Sequence, residues 1–300
     1  ESVCIIACGS AMHAGLAGQF LMKKFLHIPV SVEMASEFMY TDPVVDEKTL
    51  VIAVSQSGET IDTLEALKYA KQKGAGSLAV INVKGSSIAR ESDAVLYTNA
   101  GPEIAVASTK AYTSQLALFA LLVARMAYVR GDFTETETRD FVRELKRVPD
   151  AMEKVLAGKE KIHHIAGRII SAKDIFMIGR GLDYFIAMEG SLKLKEVSYI
   201  HSEAYASGEL KHGPLALITE HTPVVAVATQ KQLLSKEVSN IREVRSRGAD
   251  VVLFTKEQLM PEEEEGYLTF ELPDVRDEFM CLPAAAALQL LAYYVSSDKG

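Results

Sequence analysis

Cysteine is scarce in this chain: there are three, Cys4, Cys8 and Cys281, among 300 residues. An odd, low count without regular spacing builds neither a disulfide framework nor a cysteine metal cluster. A reduced, cytoplasmic setting is therefore expected, and no metal or other cofactor is called for. Cys4 and Cys8 fall in an apolar run and read as small buried hydrophobes. Basic residues are in the minority. Lys and Arg total 32 against 40 Asp and Glu, a formal net charge of −8. A broad basic surface for nucleic acid is excluded, so an anionic ligand has to be held by local donors. A membrane-spanning run is also missing: "LALFALLVA" (116–124) and "CLPAAAALQLLAYYVSS" (281–297) are too short or too mixed, and both read as buried helices. No signal peptide is visible, and the chain opens on Glu1 where Met is usual, which suggests a piece of a longer protein.

What is present is apolar material in short, regular pulses. Hydrophobic residues make up 48% of the chain, enough for one large core or two ordinary domains. "SVCIIACG" (2–9), "TLVIAV" (49–54), "GSLAVINV" (76–83) and "AVLYTNAG" (94–101) alternate with helical patterns. Apolar runs without polar alternation mark strands buried on both faces, and strands separated by helices mark a parallel, doubly wound sheet. The pattern then recurs. "DIFMIGRG" (174–181) echoes "CIIACGS", "TPVVAVATQ" (222–230) lines up with "TLVIAVSQS" (49–57), and "RGADVVLF" (247–254) with "KGAGSLAVI" (73–81). The offset holds at roughly 172 to 174 residues throughout. The chain is expected to be two copies of one α/β domain, residues 1–150 and 151–300. The charged stretch from 134 to 169 reads as connecting helices, with the boundary near 145–160.

Open α/β sheets bind ligands at the carboxyl ends of their strands. The loop "SQSGET" (55–60) occupies such an end. Gly58 permits close backbone approach, and the following helix, expected to turn Ile61, Leu64 and Leu67 inward, starts with free N–H groups and a positive dipole end. Ser55, Ser57 and Thr60 add hydroxyls and Gln56 an amide. Helix capping explains any single serine here. Three hydroxyls, an amide and a glycine in six residues suit a cradle for a phosphate dianion. Copy two has "ATQKQL" at the matching place, so the fold alone does not demand the motif. Two further strand-end loops of copy one, "CGSAMHAG" with Gly9 and Ser10, and "EIAVASTKAYTSQ" with Ala107, Ser108 and Thr109, point toward the same pocket.

Copy two carries a different feature. Glu189, Lys193 and Glu196 are spaced i, i+4, i+7 on one helix and share a face. That face is either a solvated salt-bridge ladder or a carboxylate base tuned by a lysine. His212, in "KHGP", is a candidate acid–base group for opening a sugar ring.

These strings, with "GRGLDYFIAMEGSLKLKEVSYIHSEAYASGELKHGPLALI" and "LPAAAALQLLAYYV", resemble the isomerase half of the glutamine-dependent glucosamine-6-phosphate synthases along essentially the whole chain. The resemblance implies two tandem sugar isomerase (SIS) domains, each a flavodoxin-like parallel sheet flanked by helices, and fructose 6-phosphate as substrate. It implies that Ser55, Gln56, Ser57 and Thr60 hold the phosphate and that Ser10, Ala107 and Ser108 line the sugar pocket. Glu196 would move the proton between C1 and C2, with Lys193 and Glu189 beside it. His212 would assist ring opening from the other subunit of a homodimer. A glutaminase domain is expected in the full-length chain, and so is a tail whose lysine forms the imine with the open-chain ketose; none of the three cysteines stands in a glutaminase context. The family usually has "CGT" where this chain has Cys8-Gly9-Ser10, which keeps the hydroxyl. Two other readings remain open: a free-standing SIS deaminase or deglycase acting on an amino-sugar phosphate, and a non-enzymatic sugar-phosphate sensor.

Overall fold

A computed structural model describes residues 1–260 and 267–300. The chain divides into two compact units, Glu1–Arg143 and Glu144–Gly300.

In unit one, β1 (Ser2–Ala7) leads into α1 (Gly9–Leu26), then β2 (Val30–Met34) and α2 (Ala35–Phe38). There follow β3 (Thr49–Ser55), α3 (Ile61–Gln72), β4 (Gly76–Ile81), α4 (Ser87–Glu91), β5 (Ala94–Tyr97) and α5 (Lys110–Arg130). The five strands form one parallel sheet in the order β2-β1-β3-β4-β5. The central strands are mostly apolar because helices cover both faces; Ile5, Ile6, Ile52 and Val80 are fully enclosed. The expected inward face of α3 needs correction. Ile61, its first residue, is exposed, while Thr63, Ala66, Leu67 and Ala70 are the buried positions. Only Ile61 departs from the expected face: Leu67 is buried and Leu64 packs half-buried against the core.

Three helices follow as expected from the charged stretch: α6 (Glu135–Leu145), α7 (Val148–Ala157) and α8 (Lys159–Ile169). Unit two then has β6 (Asp174–Gly179), α9 (Leu182–Ser198), β7 (His201–Ala206), β8 (Pro223–Ala228), α10 (Leu234–Ser246), β9 (Asp250–Lys256), β10 (Leu268–Leu272) and α11 (Cys281–Lys299). Its parallel sheet has the order β10-β9-β8-β6-β7. Read from the other edge, this is the order of unit one, so β6, β7, β8, β9 and β10 repeat β1 to β5.

The two long apolar stretches sit in α5 and α11. Both helices are longer than the sequence runs suggest, and long and apolar enough to cross a membrane by length and composition alone. Within the fold, 72% of the apolar window at α11 and 44% of that at α5 is buried. α11 packs on α7, α8 and α9, and α5 on α1, as core helices do.

Candidate functional site

In a parallel sheet all strands end at one edge, so β1, β3 and β4 deliver their following loops to the same rim. The loop after β3 is held from inside. The Ser55 hydroxyl, buried at the strand end, accepts the Gly58 N–H at 3.0 Å and lies 2.9 Å from the Thr60 hydroxyl. The Gln56 carbonyl accepts the Asn82 N–H from the end of β4 at 3.1 Å, and the Gly58 carbonyl accepts the Ile88 N–H of α4 at 3.0 Å. The Ser57 hydroxyl accepts the Glu59 N–H at 3.1 Å, which leaves its own proton to donate outward. The Glu59 carboxylate takes the Ser87 N–H at 2.8 Å and caps α4, and the Ser87 hydroxyl and N–H hold its carboxyl below the ordinary range. Gly58 adopts φ +68°, and a Cβ there would lie 2.0 Å from the Ser86 hydroxyl oxygen, so no other residue fits.

Thr60 stands at the N-cap of α3, and its side chain makes no capping bond to the first-turn N–H groups. The same is true at α1, where Ser10 follows Gly9 in the first turn. The rim thus carries two helix starts with their donors toward the strand ends. Asn82 fixes the third loop: its amide donates to the Gly101 carbonyl at 2.7 Å and accepts from Thr98 and the Ala100 N–H. Glu103 does what the sequence gave no hint of. Its carboxylate takes the Ala111 N–H at 2.8 Å and the Thr109 hydroxyl at 3.2 Å, closing the start of α5 and folding the Ala107–Ser108 segment back against it. Ala107 and Ser108 are half-buried, while Ile104 and Val106 are exposed.

The carboxylate–lysine face belongs to unit two, on α9. Glu189 and Lys193 are buried, and Lys193 Nζ lies 3.6 Å from Glu189 Oε1. The same ammonium donates to Glu196 Oε2, whose side chain reaches solvent. This is not a solvated ladder of the usual kind. A buried carboxylate and a buried ammonium, with a more exposed carboxylate at the end of the row, give one oxygen access to a ligand and fix it from behind. His212 is exposed at the end of a short 3-10 helix, Ser207–His212. A cavity of about 490 Å³ in unit two is lined by charged residues including Arg147, Lys154, Lys231, Lys256 and Asp277, and by none of the residues singled out from the sequence.

Among the described residues no group of three His, Cys, Asp or Glu side chains is placed to hold a metal ion. All three cysteines are free thiols. Burial pushes the Cys281 thiol up to about 12.

With this geometry in view, three comparisons are informative. The SIS domain family model matches residues 1–125 and 168–296. The chain is 51% identical over its full length to glutamine--fructose-6-phosphate aminotransferase [isomerizing] of Caldanaerobacter subterraneus, and covers 49% of that protein. It thus spans about half the length of the curated relatives it matches. Among solved structures, the C-terminal domain of glucosamine-fructose-6-phosphate aminotransferase from Francisella tularensis superposes with a TM-score of 0.95 at 41% identity, covering all of this chain and 85% of that one. A glucosamine-6-phosphate deaminase from Thermotoga maritima superposes with a TM-score of 0.80 at 23% identity, covering all of this chain and 86% of that one; the likeness is one of fold.

Proposed function

From a chain that belongs to the SIS domain family, in two tandem copies, we propose the sugar-phosphate isomerase half of a glutamine--fructose-6-phosphate aminotransferase. The observation that carries the reading is 51% identity to such an enzyme over every residue of the chain. The substrate is fructose 6-phosphate. Its phosphate sits in the loop after β3, held by the Ser57 hydroxyl, the Gln56 amide, the loop N–H groups and the start of α3, with Ser55 and Thr60 setting the loop's shape. Ser10, Ala107 and Ser108 line the sugar. Charge is met by dipoles and hydroxyls instead of cations, in keeping with the acidic chain.

Isomerisation needs one proton carried from C1 to C2 of the open-chain sugar. Glu196 is the base: its carboxylate takes the proton and returns it to the neighbouring carbon. Lys193 holds that carboxylate in place and Glu189 holds Lys193. His212 assists ring opening from the second subunit of a homodimer. In the full-length protein a glutaminase domain supplies ammonia, a lysine on a following tail forms the imine, and the product is glucosamine 6-phosphate. The setting is cytoplasmic.

The test is a coupled assay for interconversion of fructose 6-phosphate and glucose 6-phosphate, run on this chain and on the full-length protein, beside calorimetric titration with fructose 6-phosphate. Binding and turnover are expected in the full-length protein. Absence of both sinks the reading.

A further inference from the structure

The first strand-to-helix turns of the two units match. Gly9 and Gly181 each stand three residues after a paired strand position, Ile6 in β1 and Ile178 in β6, and adopt φ +55° and +57°. Two residues further, Ala11 in α1 corresponds to Asp183 in α9. On the adjoining strands Ile6 pairs with Ala53 and Ile178 with Ala226. Counting on from there, Gln56 corresponds to Thr229 and Ser57 to Gln230.

In unit one the N–H groups of Gln56 and Ser57 find no acceptor among the described residues, and Ala11 offers only a methyl. In unit two the same backbone step is filled. The Thr229 N–H donates to one Asp183 carboxylate oxygen at 2.7 Å and its hydroxyl to the other at 2.5 Å. The Gln230 N–H also lies toward the carboxylate and lowers its pKa. Asp183 is buried. We infer that unit two keeps an anion cradle of the same build as the loop after β3, and that the Asp183 carboxylate is its permanent occupant. The inference rests on the reading of the unit-one loop as an anion cradle. It accounts for "ATQKQL" in unit two: the donors there are already engaged, and the carboxylate ties the start of α9 to the end of β8.

The surroundings fit a charge held by dipoles. Burial raises the Asp183 carboxyl to about 7, while the Thr229 and Gln230 bonds pull it down. The other charged or titratable groups facing it are Glu237 on α10, Asp277 in the turn before α11, Cys281 at the start of α11 and, beyond Glu237, Arg180 just after β6, whose guanidinium is bonded to Asn240.

Formate is the probe, because Asp183→Ala removes a group of formate's size. Thermal unfolding is followed at pH 8 in formate and in chloride at equal ionic strength. The parent is expected to unfold at the same temperature in both. The variant should unfold lower in chloride and recover most of the loss in formate, saturably, as a bound ligand requires. A variant with the same midpoint in both salts overturns the inference. Should Asp183→Ala not accumulate as folded protein, Thr229→Val carries the test, since it deletes one donor and keeps both N–H groups. Its midpoint loss should be larger at pH 8, where the carboxylate is ionised, than at pH 5.5, and equal losses overturn the inference. Titrating the parent with inorganic phosphate separates the two readings: no binding sinks the unit-one cradle alone, because the formate arm reports on Asp183 directly.

Discussion

The hydroxyl oxygen of Ser86 lies 2.0 Å from the point where a Cβ on Gly58 would stand. It is buried and finds no hydrogen-bond partner among the described residues. Gly58→Ala therefore meets both a clash and a left-handed φ, the latter alone costing about 1–2 kcal/mol. The loop should lose fructose 6-phosphate binding while the far-ultraviolet circular dichroism stays that of the parent. Adding Ser86→Gly, which clears the space, should restore part of the binding in calorimetry; no restoration means the loop is not held by this contact.

Ser55 and Ser57 should separate in the same experiment. Ser57→Ala removes a donor to a charged acceptor, a loss of about 1.5–3 kcal/mol, or roughly ten- to a hundredfold in Kd. Ser55→Ala instead strands the Gly58 N–H inside the loop, so its binding loss should come with a lower unfolding temperature. Equal binding by the double variant and the parent would place the phosphate elsewhere.

On α9, Glu196→Gln keeps size and hydrogen bonding but removes the base, which should slow isomerisation by roughly 10²–10⁴-fold. Lys193→Met leaves the buried Glu189 carboxylate without its neighbouring ammonium, a loss of about 3–5 kcal/mol in chemical denaturation. Turnover unchanged in Glu196→Gln would return this face to a structural role.

Glu237 gives a pH signature. Burial raises its carboxyl to about 7, against the bond from Ser207. The folded chain thus keeps a proton that the unfolded chain releases near the ordinary value of about 4. The resulting stability is complete below that value and is lost as pH rises through about 7. Unfolding free energy should fall from pH 5 to pH 8 in urea titrations, and Glu237→Gln should flatten the fall. A parent and variant with the same slope would show that Glu237 is not the source.

The sheets were legible because β1, β3, β4, β6, β8 and β9 are apolar on both faces. The strands missed, β2, β7 and β10, are edge strands; "VSVEM", "HSEAYA" and "LTFEL" mix exposed and buried positions and read as nothing in particular. The SQSGET loop was legible because its residues are contiguous. Asp183 was not: its partner Thr229 is 46 residues away, and an acid in the first turn of a helix is explained well enough by the dipole. Glu103 escaped for a similar reason, since it caps a helix N–H eight positions further along the chain.

The paired turns at Gly9 and Gly181 bear on how a duplicated enzyme specialises. Doubling a domain doubles its ligand-binding crevices, and a spare crevice lined with N–H donors will collect whatever anion the cell holds in excess. Remodelling the loop would silence it, at the risk of disturbing the sheet beneath. In unit two an aspartate in the neighbouring helix fills the corresponding donors from within the chain, so a spare crevice is closed without any bound ligand.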